Sequence, residues 1–391
     1  MLESIGILFV FGLVFSLFFE RLSLPSLMGM ILLGIAVGPY GLKLLDQGLL
    51  DISADLRQVA LVLILTRAGL SLDIRDIKKL GISSLLMSFL PALIEILAFT
   101  IFAPLIFKIS YLDGAIMGAV MAAVSPAVVV PRFIKILDEG YGKEKKIPQL
   151  ILTGASMDDI FVIVVFYSLL ELKTLGSFSI WSLVNIPVSI FLGYLLGKLL
   201  SFILVAIFDK IVIKDNLKVI LILGLSFLLL AWEKKIDLRL SFSALIAIIS
   251  IGLNIYQKDK NLAERLAKSY NSLWSGFEII LFVLVGALVN INYLFTYLGK
   301  SILLVLIGLS FRMLGVYLSI YSRPYNRKEK IFCMGAYLPK ATVQAAIGSI
   351  PLAMGLESGE IILAVSVICI LLTAPLGAVF IDKTYKKLLD K

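Results

Sequence analysis

The chain has 391 residues and a net charge of +9, is 60% hydrophobic and only 16% charged, and has a mean hydropathy of +1.02. A soluble domain is near half apolar and about a quarter charged, so the two or three soluble domains that this length could hold are excluded. With no histidine and only two cysteines, Cys333 and Cys369, histidine metal sites, histidine proton relays and a disulfide framework are excluded as well.

The apolar residues fall into blocks that approach the ~20 residues a bilayer span requires. Thirteen segments are expected, at 4–19, 24–39, 57–72, 80–107, 113–137, 147–170, 180–207, 217–232, 240–256, 272–289, 295–320, 328–350 and 359–381. The fold class is therefore an all-α polytopic membrane protein of about 13 transmembrane helices. The first segment opens on the acidic MLES, and no small-residue cleavage site closes it before Glu20-Arg21. It reads as a retained helix rather than a signal peptide.

Orientation follows the lysine and arginine bias of short loops. Of the 36 basic residues, 8 lie in loops on the N-terminal side (Lys43, Arg57, Lys108, Lys173, Lys234, Lys235, Arg239 and Lys300) and 24 on the other. That split puts the N-terminus outside and the C-terminus in the cytoplasm, in a prokaryotic-type plasma (inner) membrane. It also accounts for the basicity without any nucleic-acid partner.

Four basic residues remain inside the segments. Arg67 and Lys198 fall toward cytoplasmic helix ends, where their heads can snorkel to water. Arg312 and Lys340 are near the middles of segments 11 and 12. Glu95 is near the middle of segment 4, and Asp158-Asp159 sit at the midpoint of segment 6 in LTGASMDDIFVIVVF. A charge at the bilayer centre costs on the order of 3 kcal/mol, so five at one depth form a functional set. Three acids and two bases leave one negative charge over, which a monovalent cation or a proton would balance. Adjacent helical residues are about 100° apart, so both aspartates can border one cavity, where they titrate as a coupled pair.

Two segments hold prolines where a membrane helix should run on: AAVSPAVVVPRF, with Pro126 and Pro131, and AYLPKATVQAAIG, with Pro339. Each proline removes a backbone donor and kinks or breaks its helix. Pro339 follows Pro126 by 213 residues, with segments 5 and 12 an odd number of spans apart. Matching interruptions in inverted repeats mark a secondary-transporter site.

These stretches resemble the monovalent cation:proton antiporters, in the branch that carries Asp-Asp, the NHA-type sodium/proton exchangers. SPAVVVP, GASMDD and YLPKATVQAAIGSIPL carry the likeness, and RAGLSLD (Arg67 to Asp73) and FRMLGVYLS (Phe311 to Ser319) fit it. The resemblance covers essentially the whole chain. It implies a sodium/proton antiporter fold with two broken, crossing helices, and alternating access that exchanges Na+ or Li+ for H+ with no cofactor. It further implies Asp159 as ion and proton carrier and Asp158 as the variable first position, the two holding the Na+. Ser125 and the Val124 carbonyl belong to the unwound stretch beside the ion. Lys340 offsets half-helix dipoles, Arg312 stands where many bacterial relatives have lysine, and Glu95 pairs with it. It implies a transport core at about 80–170 and 295–381, a dimerisation scaffold at about 1–79 and 208–294, a linker helix at 180–207, and an elevator motion within a homodimer. Glu278, in SGFEII near the cytoplasmic end of segment 10, could line an access funnel.

Arginine, unlike lysine, does not give up its proton. Glu95 is therefore expected to hold Arg312 permanently and leave both aspartates free. A potassium/proton antiporter is the alternative, although the chain ends ten residues after its last span with no GxGxxG unit. A sodium-coupled solute symporter would want a larger polar pocket, and the broken segments offer little beyond Ser125, Thr342 and Gln344. A passive channel or a sensor is a further class. An enzyme is not expected, for there is neither a nucleophile elbow nor a metal-ligand cluster.

Overall fold

The structure, a computed structural model, describes residues 1–72, 80–174, 180–211, 213–235 and 242–391. Asp73 and Arg239, named above, lie outside the described residues, as do Arg75, Lys78 and Lys79, three of the 24 basic residues counted on the other side. Among the described residues the chain is all helix, without strands, and nine helices are long and apolar enough to cross a membrane. Shorter apolar helices accompany them. Each of the thirteen expected segments coincides with one helix or with helix pieces in series.

The chain divides into two compact units. The first comprises Met1–Arg57, Asp76–Leu169 and Ile279–Lys391. It opens with α1 (Leu2–Arg21), whose Glu3 and Arg21 sit at the helix ends that favour their charges. Then come α2 (Ser26–Val37) and the short α3 (Gln47–Asp51), with α4 (Ser53–Ser71) beginning at the edge of this unit. A side chain at Gly34 of α2 would run into the backbone of Val283, and one at Gly286 into that of Ile31. Small residues let the two backbones touch, which is how helices adhere where there is no water to expel.

The expected fourth span is two helices, α5 (Ile82–Met87) and α6 (Leu90–Phe107). Pro91 explains the interruption: it sits in the first turn of α6, has no N–H to give the preceding turn, and disfavours helical backbone in the residue before it. The fifth is also two, α7 (Tyr111–Ala122) and α8 (Pro126–Asp138), separated by 123–125. α9 (Ile147–Thr174) carries the two aspartates. Later come α14 (Ile291–Ser319) and the twelfth segment in three pieces, α15 (Arg327–Ala336), α16 (Thr342–Ile347) and α17 (Ile350–Ala353). Pro339 lies in the first of these gaps and Pro351 opens α17. α18 (Gly359–Leu388) closes the chain.

The two interruptions meet. The Ser125 N–H donates to the Pro339 carbonyl at 2.8 Å, so the breaks in α7/α8 and α15/α16 are bonded to each other through backbone that helix no longer uses. Behind them Phe133, Phe332 and Tyr337 pack in a fully buried aromatic and aliphatic core.

The second unit comprises Gln58–Arg75 and Leu170–Glu278. It holds most of α4, with α10 (Ile180–Lys210), α11 (Asp215–Lys235), α12 (Ala244–Lys258) and the greater part of α13 (Lys260–Ala287). Here too glycine sets the spacing. Gly69 faces the Ile249 carbonyl and Gly252 faces the Thr66 carbonyl, so α4 and α12 cross backbone to backbone.

Candidate functional site

The first unit brings five buried charges together at the paired breaks. Arg312, from the middle of α14, is only 1% exposed and uses four guanidinium hydrogens. Its Nη2 donates to Asp158 Oδ2 at 2.6 Å and its Nη1 to Glu95 Oε2 at 2.9 Å. Nη1 also reaches the Ala122 carbonyl, and Nε donates to the Tyr337 carbonyl at 3.0 Å. Ala122 and Tyr337 are where α7 and α15 stop. A helix end leaves its last carbonyls without intrahelical partners, so one fixed cation answers both broken ends and two carboxylates. A planar fork of five donors is suited to that role, whereas a point-like ammonium is not.

Lys340, in the second break, places Nζ 2.5 Å from the same Glu95 Oε2. Its own backbone N–H donates to the Thr373 hydroxyl at 3.1 Å. Glu95, from α6, therefore joins both bases. Asp158 Oδ2 receives Arg312 and, at 3.0 Å, the Val124 N–H.

Asp159 differs from its neighbour. It is buried at 4% exposure, it has no ion pair among the described residues, and its Oδ1 has no hydrogen-bond partner. Asp158 Oδ1 and the Ser125 hydroxyl are likewise buried and unpartnered. Unsatisfied polar atoms at this depth are expensive, and here three oxygens share that condition at one break. The set of Glu95, Asp158 and Asp159 against Arg312 and Lys340 leaves the excess negative charge without a fixed partner. A small cation or a proton fits the vacancy in charge and in ligand chemistry, oxygen being the donor that hard monovalent cations accept.

The structure thus places together Glu95, Val124, Ser125, Asp158, Asp159, Arg312 and Lys340. It differs from the expectation at Arg312, which holds Asp158 as well as Glu95. Only Asp159 is left free of the pair network. The physical reason is the fork: Nη1 and Nη2 point at different acceptors, and a single carboxylate cannot take both together with two helix-end carbonyls. Glu278 lies in the second unit, half-buried, where it interacts electrostatically with Arg67. Sequence reasoning missed the Tyr337 and Ala122 carbonyls and the Thr373 hydroxyl. Backbone acceptors leave no residue signature, although the position of each proline pointed to where they would be freed.

A sequence profile of the family described as "Sodium/hydrogen exchanger, transmembrane" matches residues 5–384. The chain is similar to sodium/hydrogen exchanger 9B2 of Homo sapiens, 32% identical over 387 residues that cover 94% of this chain and 70% of that one. It is 30% identical to sodium/hydrogen exchanger 9B1 of Homo sapiens over 383 residues, covering 94% and 73%. Among solved structures, the sodium proton antiporter MjNhaP1 from Methanocaldococcus jannaschii has the same fold. The TM-score is 0.85 at 22% identity, over 99% of this chain and 98% of that one.

Proposed function

The chain belongs to the sodium/hydrogen exchanger family and exchanges Na+ for H+ across a membrane; from that premise we propose that the exchange runs through Asp159, by alternating access of the Asp158–Asp159 site. The observation that carries this reading is the contrast within the pair: Asp158 is neutralised by Arg312, while Asp159 is buried with an unpartnered oxygen and no fixed cation. A carboxylate in that position can be neutralised by Na+ or by H+, and by one at a time, which is the competition that antiport requires. Asp158 Oδ1, the Ser125 hydroxyl and the Val124 carbonyl complete the oxygen set around the ion. Li+, with the same charge and preference for oxygen, uses the same ligands. Arg312 and Lys340 hold Glu95 and Asp158 so that the charge count stays one short.

In this reading the transport core is 80–170 and 295–381, which contains every one of these residues. The scaffold is 1–79 and 208–294, joined by the helix at 180–207, and two copies assemble through the scaffold while the cores move. The outward faces of α1, with Phe9, Phe11, Leu13, Leu17 and Phe18 exposed, offer the apolar surface that lipid or a second copy would cover. The 24-to-8 distribution of basic residues supports an orientation with the C-terminus in the cytoplasm. Glu278, which interacts electrostatically with Arg67, is proposed to line an access funnel on that side.

The test is proton movement in proteoliposomes. An acid-inside gradient is imposed and Na+, Li+ or K+ is added outside, with Asp159→Asn alongside. Dissipation by Na+ and Li+ that disappears in the variant is the expected result. Exchange that persists in Asp159→Asn overturns the assignment of the carrier, and a response to K+ alone overturns that of the cation.

A further inference from the structure

We propose that Gln344 is a positioning residue that sets the cation preference of the Asp158–Asp159 site by withholding two backbone carbonyls from it. Gln344 is on α16, just past the second break, and is fully buried. Its Nε2 donates to the Ala123 carbonyl at 2.7 Å and to the Met121 carbonyl at 3.2 Å, both across on the first broken helix. The orientation of the amide is fixed by those partners, because the flipped form would set an oxygen against two carbonyl oxygens. Arg312 takes the Ala122 carbonyl between them. Three successive carbonyls at the end of α7 are therefore covered by side chains reaching over from α14 and α16.

The next carbonyl along, that of Val124, accepts no hydrogen bond among the described residues. The break thus exposes one backbone oxygen and hides three. This selection bears on chemistry because the discrimination between alkali cations depends on the number and field strength of the oxygens that replace water. Sodium, small and strongly hydrated, is served by a few strong ligands, two of them carboxylate. Potassium requires more oxygens at longer range. Removing the Gln344 donors returns the Met121 and Ala123 carbonyls to the edge of the site and shifts the balance toward the larger ion. Arg312 does not perform this function alone: besides Ala122 it donates to Glu95, Asp158 and Tyr337, and none of its bonds goes to Met121 or Ala123. The far oxygen of Gln344, Oε1, is buried without a partner, so the residue is held there by the two carbonyl bonds and not by a larger network.

The proposal rests on the site reading given above, and the experiment separates the two. Gln344→Met keeps the length and bulk of the side chain and removes both donors. Apparent KM values for Na+ and for K+ are measured in proteoliposomes, in wild type, Gln344→Met and Asp159→Asn. The expected result is a fall of about three- to tenfold in the preference for Na+ over K+, the scale of one or two hydrogen bonds, carried by the KM ratio and not by Vmax alone. Where Gln344→Met does not reconstitute, Gln344→Leu, which also removes both donors and adds no charge, makes the same comparison. An unchanged KM ratio, whether or not Vmax falls, overturns the proposal and leaves Gln344 a structural tie. If Asp159→Asn abolishes exchange while the Gln344 variants keep the wild-type ratio, only this inference fails. If Asp159→Asn keeps exchange, the site reading fails first.

Discussion

The network around Arg312 and the network around Lys145 are built from the same ingredients. The first sets Glu95, Asp158 and Asp159 against Arg312 and Lys340. The second sets Glu139, Glu329 and Asp390 against Lys145 and Lys386, tying the turn between α8 and α9 to the start of α15 and the end of α18. Lys145 Nζ is 2.7 Å from Glu329 and 3.4 Å from Asp390, and Lys386 Nζ is 3.1 Å from Glu139. Both have three acids and two bases. In the second, only Glu329 is buried, at 1%, while Lys145 is 31% exposed, Lys386 58% and Asp390 72%, and Lys135 also acts on Glu139, so water, dissolved ions and neighbouring surface charges absorb the odd charge. In the first, Arg312 and Lys340 are at most 1% exposed, and nothing but a bound cation or a proton can. The same arithmetic is thus inert at the rim and functional at the centre, and the difference is burial.

The largest expected effect comes from removing the shared cation of the buried network. Arg312→Ala leaves Glu95 and Asp158 negative, beside two helix-end carbonyls with no donor. Breaking a buried pair in this way costs about 3–5 kcal/mol, to be read as a lower melting temperature in detergent. Arg312→Lys keeps the charge and loses the fork, and falls between the variant and wild type. If Arg312→Ala melts with wild type, the network is not what holds the two breaks together.

Glu95→Gln is next. It removes one acid, so two acids face two bases and no charge is left over. The account predicts a loss of about 2 kcal/mol, the scale of hydrogen bonds to a charged group, with a sharply weakened response to Na+. Undiminished Na+-dependent exchange would count against the charge count as the reason for cation binding. Asp159→Asn inverts the usual link between damage and loss: exchange disappears while the melting temperature holds or rises, because an unpartnered buried charge has been taken away. A marked fall in stability would mean that Asp159 has a structural partner.

The rim gives the smallest effects. Lys145→Ala lowers the melting temperature by less than the variants of the buried network, since Lys145 is 31% exposed and the buried Glu329 keeps the Asn326 N–H; the share owed to exposed Asp390 weakens further in high salt. The hydrogen bond from Tyr385, with Lys386 beside it, holds the Glu139 carboxyl below its ordinary 4.5. The hydrogen bond to Glu329 holds the Lys145 ammonium above its ordinary 10.5. A lowered acid contributes at pH above 4.5 and fades as pH falls through its folded value. A raised base contributes below 10.5 and fades as pH climbs through its own. Protection of the amides across 382–391, taken relative to their intrinsic exchange rates, is therefore expected to stay flat from about pH 5 to pH 10. A step inside that window would show that some other group controls the tie.

Much of this was legible in the chain itself. Apolar blocks of bilayer length marked the helices, and Pro126 and Pro339 marked where they break, because a missing N–H is written in the sequence; Pro131, singled out with them, sits inside α8 without ending it. The five buried charges stood out against hydrocarbon. The split of roles within Asp158-Asp159 was not legible: it depends on which oxygen the Arg312 fork reaches, and that follows from the geometry of α9 and α14. The electrostatic interaction of Glu278 with Arg67 was hidden for a similar reason, since the two are far apart in the chain. Gln344 was visible as a polar residue in an apolar run, but its partners are carbonyls, which every residue has.

The central claim is that Na+ and H+ compete for the one carboxylate without a fixed cation, Asp159. The measurement is the apparent KM for Na+ in proteoliposomes across a series of pH values. The account predicts that KM rises as pH falls, approaching about tenfold per pH unit where the site is mostly protonated, at constant Vmax. A KM for Na+ that does not change with pH would contradict it, and would mean that the two ions use separate sites.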